Sequence, residues 1–186
     1  MSNPILETIA SRRSHRAYEN TPVTDEQLQV LIDACLQSPS AVNRQPWHLT
    51  AVRNQALLEE LNAECIAQML KKLPEQRSPR LADPNYNVFY RAPMVLFLSA
   101  DPAWRYSGFD CGVAAENINL AAESIGLGCV ILGMPRAAFE GERKAEFEQK
   151  LGFLPGEEYV MAISVGVPAD TKGPHTIREG HITIVD

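Results

Sequence analysis

A short basic segment is the strongest chemical signal in this chain. Residues 11–16 (SRRSHR) place three arginines and one histidine within six positions of a chain whose formal net charge is -6. Like charges this close repel one another, so an anion that offsets them is expected nearby. Guanidinium groups present planar forks of N–H donors that match phosphate oxygens, and a serine hydroxyl adds one more donor. The members of the predicted phosphate clamp are Arg12, Arg13, Ser14 and Arg16.

The same segment allows a plainer interpretation. A basic run can be a solvated surface segment whose arginines pair with nearby carboxylates, here Glu7 and Glu19. Basic clusters alone do not separate these two interpretations, so the choice depends on the rest of the chain.

A second segment, residues 38–49 (SPSAVNRQPWHL), combines small residues with two amide side chains. The small residues would let a flat ligand lie against the backbone. The amides of Asn43 and Gln45 can both donate and accept hydrogen bonds along the edge of a heteroaromatic ring. The alternative is a helix-to-strand turn in which Trp47 fills the core.

A third segment, residues 126–135 (GLGCVILGMP), is rich in glycine but does not have the order of a nucleotide-binding loop. A dinucleotide fingerprint runs strand, GxGxxG, helix. Here a helix is expected to end at Gly126, and a strand follows before Gly133. The order therefore excludes a Rossmann site and a Walker-type loop, and leaves a strand end whose glycine can present a backbone N–H to a ligand.

Composition and the remaining reactive side chains exclude several classes of protein. The acidic balance argues against a general nucleic-acid partner, and no apolar run reaches the roughly 20 residues of a membrane span. The N-terminal residues lack the features of a signal peptide, so the expected location is the cytoplasm. The four cysteines form no CxxC and the four histidines no HxxxH, so we expect structural thiols and no metal site. No Ser-His-Asp or Cys-His arrangement is evident.

Helix and strand signals alternate along the chain. Helices are predicted from Pro4 to about Ser11, from Thr24 to before Ser38, and over 55–71, 110–125 and 143–151. Strands are predicted over 48–53, 94–100, 129–132 and 159–167, with a last one in the alternating tail HITIVD. Residues 73–93 have weak periodicity and predict a lid or an irregular helical segment. This pattern predicts an α+β or α/β fold with one sheet covered by helices, and a terminal strand that can pair with the edge of another subunit.

Taken in order, these segments resemble the nitroreductase family of FMN-dependent oxidoreductases. RRSHRAY is similar to the family's R-x-S-x-R phosphate motif, and SPSAVNRQPWHL to its P-S-S-x-N-x-Q-P-W segment. YRAPMVLFLSAD, DCGVAAENINLAAESIGLG and ISVGVP resemble later landmarks of the family. The resemblance extends over nearly the whole chain, and its specificity comes from the joint spacing of the motifs.

The resemblance implies an α+β fold: one domain over residues 1–186, built as a three-layer α-β-α sandwich. Its central sheet would be mixed or antiparallel and flanked by helices, with the C-terminal strand exchanged with a partner subunit. It also implies a homodimer with two FMN molecules at the subunit interface. The clamp would hold the ribityl phosphate and the pyrimidine side of the flavin, and the backbone at Leu132 and Gly133 would face the reactive N5. Further contacts implied by the resemblance are Pro39, Ser40, Ala41 and Asn43 from the partner subunit, and Asn85 at the flavin edge.

Two departures from the family pattern affect these expectations. The family often closes its phosphate site with a Lys/Arg-x-Arg near the C-terminus, where this chain has TKGPHTIR. Lys172 is expected to keep that role and His175 to stand where arginine is usual, which would weaken FMN binding as the histidine loses its proton. The segment before Met94 is also brief, so the lid that shapes substrate choice in larger members is expected to be trimmed.

The implied activity is a two-step exchange through one site. NADH or NADPH reduces the flavin and leaves, and a flat acceptor such as a nitroaromatic or a quinone then takes its place. Trp104, Tyr106 and Phe109 either roof this cavity or pack at a loop–helix junction. Two alternatives stay open: an FMN-binding storage or regulatory protein, or a related flavin reductase with another acceptor; and a flavin-free phosphate-binding or interaction module.

Overall fold

An antiparallel sheet lies at the centre of the molecule. The computed structural model describes residues 3–72 and 74–185, and within them the strands pair in the order β1-β2-β4-β3. The strands are β1 (His48–Val52), β2 (Met94–Ala100), β3 (Gly128–Leu132) and β4 (Glu158–Gly166). The helices are α1 (Pro4–Ser11), α2 (Asp25–Leu36), α3 (Gln55–Lys71), α4 (Ser107–Ser124) and α5 (Lys144–Leu151).

Both faces of the sheet are covered, which explains the unbroken apolar run of β2. Every residue of β2 is buried. Val95 and Phe97 face the core formed with α3, α5 and the 3₁₀ segment Met134–Phe139, whereas Leu96 and Leu98 face the core formed with α2 and α4. A strand buried on both sides has no polar face to alternate with. The predicted three-layer α-β-α sandwich is confirmed, and its sheet is antiparallel.

Local capping signals set several helix ends as the sequence predicts. The Asn3 side chain accepts hydrogen bonds from the first-turn backbone of α1. Thr24 and Gln27 form a reciprocal capping box at the start of α2. After α5, Gly152 adopts a left-handed conformation with φ 70°, which a residue without Cβ takes at little cost.

Two expectations differ from the structure. Helix α4 begins at Ser107, not at residue 110, because the Ser107 N–H donates to the Trp104 carbonyl and its hydroxyl to the Asp101 carbonyl, which winds the chain one turn earlier. Residues 181–185 form no strand in the single chain, and Ile182 is 86% exposed. A strand needs an edge to pair with. Residue 186 of the expected last strand and residue 73 of the expected irregular segment lie outside the described residues.

The basic segment lies along the start of β3. The His15 N–H donates to the Cys129 carbonyl at 3.0 Å, and Ser14 forms a parallel bridge with Cys129. The His15 ring packs on the α-carbon of Gly128: a Cβ at position 128 would come within 2.8 Å of His15 Cγ. The glycine therefore lets the segment approach the sheet closely.

The cysteines are structural, as expected. All four are free and buried. Burial raises the pKa of the Cys35 thiol to about 11 and that of the Cys65 thiol to about 12. Thiols with such pKa values carry little thiolate near neutral pH and are poor nucleophiles.

Gly128→Ala is expected to lower the free energy of unfolding by about 1–3 kcal/mol, because the added methyl group collides with the His15 ring. The measurement is urea unfolding of four proteins: the parent, Gly128→Ala, His15→Ala and the double variant. In the His15→Ala background the same methyl group should cost much less, since the ring it meets is gone. Equal costs in both backgrounds would contradict the close approach of His15 to Gly128.

Candidate functional site

The predicted clamp and the C-terminal segment line one cavity, called the basic pocket here. Its volume is about 400 Å³. Its lining residues are Arg12, Arg13, Ser14, Arg16, Lys172, Gly173 and His175. Arg13 Nε donates to the Gly173 carbonyl at 2.8 Å, which joins two segments 160 positions apart. The structure thus brings together six residues that the sequence analysis assigned to one phosphate site.

The arginines of the basic pocket are held by different partners. Arg12 Nε lies 3.3 Å from Oε1 of Glu116 on α4. Arg13 Nη1 donates to the carbonyls of Ala10 and Arg12 at 2.6 and 2.7 Å, near the C-terminal end of α1. Arg16 Nη1 donates to the Ser14 carbonyl at 3.2 Å. Since a guanidinium has five N–H donors, each arginine keeps donors for an anion after these bonds.

An aspartate that the sequence analysis missed orders the basic pocket. Asp170 Oδ1 lies 2.6 Å from His15 Nδ1, and its Oδ2 lies 2.9 Å from Lys172 Nζ. Burial raises the pKa of the Asp170 carboxyl, but hydrogen bonds from Lys172, His15 and the Arg16 N–H outweigh it and lower that pKa to about 2. Asp170 therefore stays charged and aligns Lys172 beside the arginines. No local motif marks Asp170, because its partner His15 is 155 positions away.

Two tyrosines connect the basic pocket to the end of β3. The Arg16 guanidinium lies 6.0 Å from the centre of the Tyr90 ring, and the Tyr86 and Tyr90 rings meet edge to face at 6.3 Å. Tyr86 Oη donates to Met134 Sδ at 3.1 Å. Tyr90 has φ 56°, a strained conformation for a bulky residue. The strain persists because Asn87 Oδ1 accepts hydrogen bonds from the backbone on both sides of Tyr90.

A second cavity, called the Gly133 pocket here, opens where β3 ends. Its volume is about 280 Å³. Its lining residues are Met69, Lys72, Gln76, Arg77, Ser78, Gly133, Met134, Arg136, Ala137 and Glu140. Leu132 is buried and Gly133 is exposed, as expected for a strand end that presents its backbone. Cys129, which pairs with the clamp, and Gly133 are about 13 Å apart at roughly 3.3 Å per strand residue.

Asn85 lies next to this region. It precedes Tyr86, which contacts Met134, and its side chain is exposed. Its backbone N–H donates to Asp83 Oδ1 at 2.8 Å, which fixes the local turn. Its assignment to the flavin edge stays a prediction.

The segment after α2 is held in a strained shape by a buried acid. Ala41 N–H donates to Asp110 Oδ1 at 3.0 Å, and Asp110 is fully buried in the first turn of α4. Val42 and Asn43 have φ values of 50° and 56°, although neither is a glycine. A β-branched residue in this region is a true outlier, and the surrounding bonds must hold it there. Asp110 thus fixes the predicted contacts Ser40 and Ala41 in one conformation.

The residues 39–43 line neither the basic pocket nor the Gly133 pocket within the single chain. Gln45 Nε2 donates to Asn43 Oδ1 at 3.1 Å, so the two amides partly satisfy each other. Pro39 and Asn43 are exposed, and Val42 is 87% exposed at the tip. This segment therefore faces outward in the single chain.

The three aromatic residues predicted to cover the cavity, Trp104, Tyr106 and Phe109, have different environments in the structure. Trp104 and Tyr106 meet edge to face at 5.4 Å, and Trp104 Nε1 donates to Asp110 Oδ2 at 3.2 Å. The Arg44 guanidinium lies 4.6 Å from the Trp104 ring. Phe109 is 70% exposed. Trp104 therefore packs at the loop–helix junction and holds the segment after α2, while Phe109 is free to contact another molecule.

Metal sites and membrane spans are not found in residues 3–72 and 74–185. There, no group of three or more His, Cys, Asp or Glu side chains is arranged to hold a metal ion. No helix in these ranges is both long enough and apolar enough to cross a bilayer.

The fold is layered and antiparallel, with the basic pocket at one end of β3 and the exposed Gly133 at the other. The family model for the nitroreductase family matches residues 9–167. The chain belongs to the nitroreductase family, as the sequence motifs indicated.

Solved structures and curated relatives agree with this assignment. A crystal structure of a nitroreductase with bound FMN from Desulfitobacterium hafniense DCB-2 is 34% identical, with a TM-score of 0.93 and full coverage of both chains. A nitroreductase with bound FMN from Bacteroides fragilis is 29% identical, with a TM-score of 0.91 over 100% of both chains. A relative from Methanothermobacter thermautotrophicus, provisionally named NADH dehydrogenase/NAD(P)H nitroreductase, is 34% identical over 91% of this chain and 80% of its own length.

Asp170→Asn is expected to flatten the acid side of the stability profile. The pKa of Asp170 is lowered from 3.8 to about 2, so its stabilisation is complete above the unfolded-state value and is lost as the pH falls from about 4 towards 2. The free energy of unfolding, measured by urea titration across that range, should therefore vary less in Asp170→Asn than in the parent.

The matched control is Asp33→Asn, which changes an exposed carboxylate that accepts a hydrogen bond from Gln29 on the same helix. This variant should keep the acid dependence of the parent. If Asp170→Asn and the parent lose stability in parallel between about pH 4 and pH 2, the charge pairing of Asp170 is wrong.

Proposed function

We propose that this chain is an FMN-dependent oxidoreductase that passes electrons from NADH or NADPH to a flat acceptor such as a nitroaromatic or a quinone. The observation that carries the proposal is the placement of a cationic pocket and an exposed strand-end glycine at opposite ends of β3. When bound, FMN supplies the redox chemistry, by which NAD(P)H, one proton and a quinone become NAD(P)⁺ and a hydroquinone. Two FMN-bound neighbours in the same family support this choice of cofactor.

The donors of the basic pocket suit the phosphate of FMN. Arg12, Arg13, Arg16 and Lys172 carry positive charge, and Ser14 and His175 add donors. Asp170 orients Lys172 without closing the cavity. Each hydrogen bond from a charged donor to a phosphate oxygen contributes on the order of 1.5–3 kcal/mol. His175 lines the pocket where the family pattern has arginine, and its ring can donate a hydrogen bond to the phosphate.

The end of β3 would meet the flavin ring. Leu132 is held by the sheet, and the Tyr159 hydroxyl donates to its carbonyl at 2.8 Å, which fixes the strand end. Gly133 has no side chain to block the approach of a flat ring to the backbone. Its N–H would then donate to the ring nitrogen that exchanges hydride. Since the redox chemistry belongs to the cofactor, no side chain of the chain needs to act as a nucleophile.

A homodimer with the cofactor at the interface is part of the proposal. Helix α1 buries none of its residues in the single chain, and its apolar side chains Ile5 and Leu6 are exposed. Phe109 and the strained tip at Val42 are exposed as well. Large exposed apolar side chains of this kind mark interaction surfaces. We infer that residues 39–43 of one subunit complete the cofactor site of the other.

The tail beyond Gly180 supports the same arrangement. Ile182 and Ile184 alternate with polar residues and are exposed in the single chain. An alternating strand of this kind gains stability when it pairs with a sheet edge. We propose that the tail pairs with the partner subunit, as the family resemblance implies.

The decisive experiment is anaerobic reduction of the FMN-loaded protein. Addition of NADH or NADPH should bleach the visible absorbance of the flavin, and a nitroaromatic or quinone should then restore it, because donor and acceptor react in turn at one cofactor. A protein that binds FMN but is bleached by neither nucleotide would favour the storage or regulatory alternative. A protein that does not bind FMN would contradict the proposed function.

Arg12→Ala is expected to weaken FMN binding about ten- to a hundred-fold, because one charged donor to the phosphate is removed. The measurement is quenching of FMN fluorescence on titration with protein. Glu116→Gln should have the opposite effect, since it removes the carboxylate that lies 3.3 Å from Arg12 and competes for its charge.

The matched control for Arg12→Ala is Arg53→Ala, since Arg53 pairs with Asp25 and neither residue lines the basic pocket. It should leave FMN affinity unchanged. An Arg12→Ala protein with parental affinity would show that this guanidinium does not hold the phosphate.

A further inference from the structure

Cationic side chains outnumber carboxylates in the lining of the Gly133 pocket. Lys72, Arg77 and Arg136 line it, and the only carboxylate among its lining residues is Glu140. Lys72 Nζ lies 3.6 Å from Glu140 Oε2, which leaves two arginines in formal excess. Among the described residues neither Arg77 nor Arg136 forms an ion pair, in a chain whose net charge is -6. Arginines left without a carboxylate beside a cavity can bind an anion.

Both arginines are anchored by backbone carbonyls. Arg77 Nε donates to the Lys72 carbonyl at 2.9 Å, and its Nη2 to the Leu70 carbonyl at 2.6 Å, at the C-terminal end of α3. Arg136 Nη2 donates to the Val160 carbonyl at 3.2 Å in β4, and its guanidinium lies 5.5 Å from the centre of the Tyr159 ring. Anchored guanidinium groups lose less conformational entropy when they bind a ligand. Each keeps further N–H donors for that ligand.

The charge of this pocket is separate from that of the phosphate clamp. The two pockets share no lining residue, and Tyr86 and Tyr90 lie between them. The pocket volume of about 280 Å³ suits a small acidic group with part of a ring and is less than a whole nucleotide needs. The anion for this pocket is therefore not the cofactor phosphate of the same subunit.

We propose that the Gly133 pocket binds the anionic group, a carboxylate or a phosphate, of the molecule that reacts beside Gly133. The inference rests on the proposed function, because it takes Gly133 as the place of the flavin ring. It names the substrate class: flat molecules that carry an acidic group near the reacting atoms. Arg77 and Arg136 bind that group. Glu140 neutralises Lys72, so the charge available to the anion comes from the two arginines.

The first test measures binding without turnover. Benzoate and benzamide, which have the same size and differ in charge, are titrated into the FMN-loaded protein and followed by calorimetry. Benzoate should bind more tightly, and the double variant Arg77→Gln with Arg136→Gln should weaken benzoate by about tenfold or more while benzamide is unchanged.

Two further variants control for folding and for overall charge. Arg77→Lys keeps the charge at the end of α3 and should retain most of the benzoate affinity, even if the glutamine variant is less stable. The double variant Arg53→Gln with Arg105→Gln changes the net charge equally, outside the Gly133 pocket, and should leave benzoate binding unchanged.

The second test separates the two sources of the anion. Stopped-flow rates of flavin reduction are compared for NADH and for the uncharged 1-benzyl-1,4-dihydronicotinamide. Rates of reoxidation are compared for 4-nitrobenzoate and 4-nitrobenzamide. If the ratio of the NADH rate to the 1-benzyl-1,4-dihydronicotinamide rate falls in the double variant of Arg77 and Arg136, the ligand is a nucleotide phosphate. If the ratio of the 4-nitrobenzoate rate to the 4-nitrobenzamide rate falls instead, the ligand is the acidic group of the acceptor.

These outcomes are distinct from failure of the proposed function. If the variants change neither benzoate affinity nor either rate ratio, while the parent protein binds FMN and is reduced by NAD(P)H, the anion site is wrong and the proposed function stands. If the parent protein is not reduced at all, the proposed function fails first, and the calorimetric comparison alone decides whether the pocket binds anions.

Discussion

The close approach of the basic segment to β3 is the constraint on which the site depends. His15 packs on Gly128 with no room for another methyl group, and its N–H bonds to the Cys129 carbonyl. This contact sets three arginines against the sheet, where their mutual repulsion opposes folding. Asp170 offsets part of that repulsion through His15 and Lys172, and the remaining positive charge is left for an anion.

Strand β3 connects this basic segment to the second pocket, at Gly133. If FMN binds as proposed, β3 sets the separation between its phosphate and its ring, because the strand starts beside the clamp and ends at Gly133. Tyr86 and Tyr90 line the path between these ends. The two strained segments, at Tyr90 and at Val42, both border proposed binding surfaces. Strain of this kind, of order 1–3 kcal/mol per residue, is held by Asn87 in one case and by Asp110 in the other.

The sequence was informative wherever the determining interaction is local. The Asn3 cap, the capping box of Thr24 and Gln27, and the apolar run of β2 each depend on neighbouring residues, so the corresponding elements were predicted closely. The residues of the clamp were predicted from their types, and Lys172 and His175 from the family pattern. The structure brings these residues into one cavity. The roles of all predicted site residues towards FMN remain predictions.

Interactions between distant parts of the chain could not be predicted from the sequence. The hydrogen bond between Asp170 and His15 joins residues 155 positions apart, and that between Asp110 and Ala41 joins residues 69 positions apart. No local spacing pattern predicts either contact. The early start of α4 depends on bonds from Ser107 to the preceding loop. The tail was expected as a strand, but a single chain offers it no pairing edge.

The basic pocket is proposed to bind the phosphate of a flavin. The most direct measurement compares the dissociation constants for FMN and for riboflavin, which lacks only the phosphate. The account predicts that FMN binds at least about a hundred-fold more tightly, as several charged donors require; equal affinity for the two flavins would contradict it.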